Sequence, residues 1–139
     1  MHRYLVVANQ TLGGEPLVAR IRELSRDGPS AFHLVVPATP PTNHTWTEGA
    51  TRGLARERLD DALRRFAELD IEAEGEVGDG SPMLAIADAI RDHGPFDAIV
   101  LSTLPPGPSR WLKLDLPHRA ASFGLRVIHV VGEGAPAGR

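Results

Sequence analysis

Apolar residues along this chain follow two rhythms that alternate. RYLVVAN at residues 3–9, AFHLVV at 31–36, FDAIVLS at 96–102 and LRVIHVV at 125–131 are near-continuous runs rich in β-branched side chains, as strands covered on both faces require. IEAEGEVGDG at 71–80 instead alternates apolar and acidic residues, the pattern of an edge or half-exposed strand. Between the runs the spacing becomes helical. Leu17, Val18, Ile21 and Leu24 form one stripe, with Pro16 near its first turn; Ala55, Leu59, Ala62, Leu63 and Phe66 form another, the longest, behind a capping box of Thr45 and Glu48. Ser81 and Pro82 open a third helix that Gly94 closes, and a fourth is expected around residues 117–123, with Asp115 as its cap ahead of Pro117. Five strands separated by four helices predict an α/β protein: a single-domain open parallel five-stranded sheet over residues 1–132, with 133–139 as a flexible C-terminal tail.

Composition narrows the chemistry. The 139 residues include no cysteine, which excludes disulfides, thiolate catalysis and cysteine-based zinc sites. A formal net charge of −3 gives no global attraction to nucleic acid, and MHRYLVVANQ is too short an apolar run for a signal peptide or membrane helix. The expectation is a cytoplasmic protein with no nucleic-acid or membrane partner. Lys113 is the only lysine among 15 basic residues, a bias without chemical content.

In open α/β sheets, ligands sit beyond the carboxyl ends of the strands where strand order reverses. With the order 3-2-1-4-5, that crevice falls between the first and fourth strands. The loops there are NQTLGG (residues 9–14) and STLPPGPSR (102–110), both rich in hydroxyls, amides and glycine. The first enters a helix N-terminus, which favours an anion. Turn chemistry alone would also select such residues, and Arg110, Lys113 and Arg119 also read as a solvated face.

The element order and the strand ends resemble the universal stress protein family. YLVVANQTLGGEPLVARI is similar to that family's opening strand and helix, FHLVVPATPP to its second strand and loop, GEVGDGSPMLAIADAI to its third strand, turn and helix, and FDAIVLS to its fourth strand. The resemblance implies a Rossmann-like fold of the adenine nucleotide alpha hydrolase-like type, a homodimer, and a stress-related sensor binding ATP, another adenine nucleotide or a different phosphate-bearing ligand. The implied binding residues are Asn9, Gln10, Thr11, Gly13, Gly14, Val36, Ser102, Thr103, Gly107, Ser109 and Arg110. ATP-binding members carry a Gly, Gly, Gly, Ser/Thr motif after strand four; its ungapped positions here hold Ser102, Pro105, Asp115 and Leu116. Proline removes an N–H from the cradle and Asp115 sets a negative charge beside a negative ligand. A non-nucleotide interaction module, with the proline loop and Trp111 as its contact surface, is the competing reading; enzymatic activity, such as weak ATP hydrolysis, stays open.

Other motifs are weaker. His2, His33, His44, His93, His118 and His129 show no i, i+4 pair, so no metal site is expected. Ser102 lacks a nucleophile elbow, and the glycines of GEVGDG read as a tight turn.

Overall fold

Covering both faces of the apolar runs takes two layers of helices. The computed structural model, which describes residues 1–39, 47–106 and 110–132 with the side chain of Arg110 excepted, provides them. Its strands are β1 (His2–Val7), β2 (Ser30–Pro37), β3 (Ala73–Gly78), β4 (Ala98–Thr103) and β5 (Arg126–Val131). All pair in parallel in the order β3-β2-β1-β4-β5, as the sequence predicts. The helices are α1 (Glu15–Arg26), α2 (Glu48–Glu68), α3 (Pro82–His93), α4 (Arg110–Lys113) and α5 (Leu116–Ala120), followed by a 3-10 turn at Ala121–Phe123.

Strand alternation divides the core into two layers. Tyr4, Val6, Phe32, Leu34 and Val100 face α1 and α2, where they meet Leu17, Ile21, Leu59 and Phe66. Leu5, Val7, Val35, Ile99 and Leu101 face the other way, against Ile86 and Ala89 of α3, Trp111 of α4 and Leu116 and Ala120 of α5. Trp111 is only 9% exposed and belongs to this second layer. Its indole is core rather than open contact surface.

Edge strand β3 behaves as its alternation predicts. Ala73 and Val77 pack into the α2 layer, while Glu74 and Glu76 project from the opposite face. The glycines of GEVGDG do not make one turn. Gly75 and Gly78 lie within β3, and a Cβ added at Gly75 would fall 2.7 Å from both the Leu34 carbonyl oxygen and Leu59 Cδ1. Gly75 therefore marks a close approach between strand and helix.

The caps follow the sequence with two exceptions. Ser81 Oγ accepts from the Leu84 N–H at 3.5 Å with Pro82 behind it, and the Gly94 N–H returns to Ile90 O at 3.0 Å. For α2 the cap is Thr47, whose Oγ1 accepts from the Ala50 N–H at 3.0 Å; the expected Thr45 lies outside the described residues. The expected last helix at 117–123 divides into α5 and the 3-10 turn, and α4 forms in what the sequence presents as loop. Asp115 occupies the cap position of α5 but adopts φ 56° and makes no side-chain cap bond.

Candidate anion site at the carboxyl ends of β1 and β4

The chain leaves β1 at Val7 and turns through residues 9–14 before α1, while β4 ends at Ser102 and Thr103 beside it. This juxtaposition brings the predicted hydroxyls together. Thr11 Oγ1 and Ser102 Oγ share a buried hydrogen bond of 2.6 Å. Gly132, just past β5, keeps the third wall close: a Cβ there would lie 2.6 Å from Thr11 Cγ2.

Asn9 is buried and uses both ends of its amide. Its Nδ2 donates to Pro37 O at 2.7 Å, tying the ends of β1 and β2, and its Oδ1 accepts from Arg58 Nη1 of α2. Among the described residues Arg58 has no carboxylate partner. Its half-buried guanidinium is pulled below the usual arginine value by desolvation and stays charged at neutral pH. Seven residues on, at the same angular position of α2, Arg65 donates to Gly13 O at 2.9 Å and pairs with Glu15. Two arginines of α2 thus reach across to the first loop. Neither stood among the residues expected from sequence.

Gly14 caps α1 without a side-chain bond, and Glu15 occupies the first turn, so a carboxylate of the chain itself already complements the helix dipole there. Gln10 and Gly13 are exposed, Gly14 is half-buried, and Val36 is enclosed in the apolar layer under α1 and α2. Gly107, Ser109 and the Arg110 side chain lie outside the described residues; the Arg110 backbone opens α4.

On the β5 side, Thr103 Oγ1 and His129 Nε2 are 2.8 Å apart. Thr103 is buried, and partial burial of the imidazole holds His129 below its ordinary value, so the ring is neutral at physiological pH. A hydroxyl against a neutral imidazole is half of a nucleophile–base relay. No described residue bonds His129 Nδ1 to orient the ring as a full relay requires.

Parallel strands in this order, with polar loops at the reversal point, form an open Rossmann-like α/β sheet. The solved structure of a universal stress family protein from Burkholderia pseudomallei superposes with a TM-score of 0.61, covering 91% of this chain and 93% of that one at 17% identity. No protein-family model matches the sequence, and no curated protein is significantly similar to it. Among the described residues no helix is long and apolar enough to cross a membrane.

Proposed function

We propose that this is a universal-stress-type protein that binds a small phosphate-bearing ligand between the β1–α1 loop and the end of β4, in a stress-related sensing role. Arg58 carries the reading. A cation that is partly desolvated, bonded among the described residues to a neutral amide and set at the switch point of a parallel sheet suits an incoming anion. The ligand replaces the Arg58–Asn9 bond with charge-assisted bonds to its own oxygens, and the hydroxyls of Thr11 and Ser102 turn from each other toward it. Adenine nucleotides are the first class to try, with the departures at Ser102, Pro105, Asp115 and Leu116 requiring that the phosphates be held by side chains rather than by a glycine cradle.

The experiment is a thermal-shift titration with ATP, AMP and inorganic phosphate on the wild type and on Arg58→Gln. At least one probe raises the wild-type Tm. The variant keeps its fold and binds roughly ten- to hundredfold more weakly, as loss of charge-assisted bonds of about 1.5–3 kcal/mol implies. Absence of any wild-type shift, or an undiminished shift in the variant, refutes the proposal.

A further inference from the structure

A second polar cluster lies on the α3 face of the sheet, away from the crevice. His33, only 5% exposed, projects from β2 with both ring nitrogens against carboxylates of β3: Nδ1 is 3.2 Å from Glu74 Oε1 and Nε2 is 2.8 Å from Glu76 Oε2. His93, at the last position of α3, sets its Nε2 2.6 Å from the same Glu76 oxygen. The two imidazoles stack with centroids 4.2 Å apart, and the ligand atoms of His33, Glu76 and His93 all lie within 4.8 Å of one another. His33 and Glu74 also line a cleft of about 260 Å³ that opens among residues at the amino ends of β1–β3, giving the cluster a route to solvent.

From these positions we infer a binding site for one zinc-class divalent ion, with His33 Nε2, His93 Nε2 and a Glu76 carboxylate oxygen as its ligands. Protonation bookkeeping supports this. If neutral His33 donates its Nδ1–H to Glu74, its Nε2 presents a lone pair to the lone pairs of Glu76, an arrangement that is repulsive until a cation stands between them. An ion there resolves the conflict and turns Glu74 into the carboxylate that orients a metal-bound histidine. Charge agrees as well: two carboxylates and two neutral imidazoles carry −2, which one divalent ion cancels. Tetrahedral zinc, with bonds of about 2.0 Å, needs ligand atoms about 3.3 Å apart: the two contacts to Glu76 open by under about 1 Å, and the His33–His93 pair closes by at most about 1.5 Å from the 4.8 Å that bounds it. Two imidazoles and one carboxylate are borderline donors that suit zinc over magnesium or calcium, and three protein ligands leave a fourth position for water or another ligand.

The competing explanation of the same contacts is an imidazolium at His33 clasped by two glutamates without metal. Isothermal titration of chelator-treated protein with Zn²⁺, with Tm measured in parallel, separates the two. The site predicts a one-equivalent binding event that raises Tm, while Mg²⁺ has no effect. His93 is half-exposed at a helix end, so His93→Gln leaves a folded protein; it lowers Zn²⁺ affinity at least 100-fold. Glu74→Gln, which alters only the orienting carboxylate, weakens binding by roughly 10–100-fold. Surface histidines such as His2 and His118 survive in both variants, so stoichiometric binding that persists in His93→Gln belongs to them and overturns the assignment, as does the absence of a stoichiometric event in the wild type.

Discussion

Two residues show how local contacts set measurable behaviour. Gly75 has no room for a methyl group: a Cβ would meet both the Leu34 carbonyl of the neighbouring strand and Leu59 of α2. Gly75→Ala must push strand and helix apart and is expected to destabilise the fold by about 1–3 kcal/mol, read as a lower urea midpoint at unchanged slope. In the sequence this glycine reads as part of a turn, because a run of three glycines within six residues carries no information about which of them touches a helix. His129 gives a pH dependence. Its folded value lies below 6.5 through partial burial, so the unfolded chain binds the proton more readily. Its contribution to stability is therefore complete above pH 6.5 and is lost as pH falls through the folded value. His129→Gln removes this dependence: comparing urea midpoints of wild type and variant from about pH 8 to about pH 5 should show the wild type losing more stability on acidification. Acid effects from the rest of the chain are common to both proteins and cancel in that difference.

Among the elements, α2 joins stability to the candidate site. The stripe Ala55, Leu59, Ala62 and Phe66 is legible in the sequence and buries as its spacing predicts. Arg58 and Arg65 each stand one position before a stripe residue, at the border of the buried face; Arg56 and Arg64 stand farther out and pair with acids of their own helix. Sequence periodicity places all four on or near the polar side. Only the position of the β1–α1 loop distinguishes the two that cross to it. The start of the helix is misplaced by two residues for a similar reason: TWTE presents two threonines, and the capping-box spacing to Glu48 selects Thr45. Thr47 makes the bond, so Thr47→Ala is expected to lower stability by about 1 kcal/mol, measured by chemical denaturation. The last helical region shows the opposite problem: the segment at 117–123 is legible from Pro117 onward, but the short α4 reads as part of the proline-rich loop, and the left-handed Asp115 separates it from α5.

At the level of the whole molecule, continuous apolar runs show in advance how deeply the sheet is buried, whereas the strand order 3-2-1-4-5, which matches the one observed, comes with the Rossmann-like class and not from the crossover pattern itself. The two side-chain clusters differ in how far sequence could reach them. Asn9, Thr11, Ser102 and Thr103 follow strands directly and share one end of the sheet by topology alone, whereas His33, Glu76 and His93 come from three elements 43 and 17 positions apart and meet only through the β2–β3 register and the antiparallel return of α3. The register also separates the clusters. His33 pairs with Leu5, and Asn9 is four residues farther along, a separation of about 13 Å at the rise of a strand. Sites at that distance with no shared partner act independently within a few tenths of a kcal/mol. The Tm increases from Zn²⁺ and from a phosphate ligand should therefore add when both are present, Arg58→Gln should abolish only the phosphate increment, and His93→Gln only the zinc increment. Differential scanning calorimetry of the three proteins with each ligand alone and together checks this. A joint shift much larger than the sum, or either variant silencing both ligands, would mean instead that the sheet couples its two ends, with β2 as the element common to the Asn9–Pro37 bond and the His33 cluster.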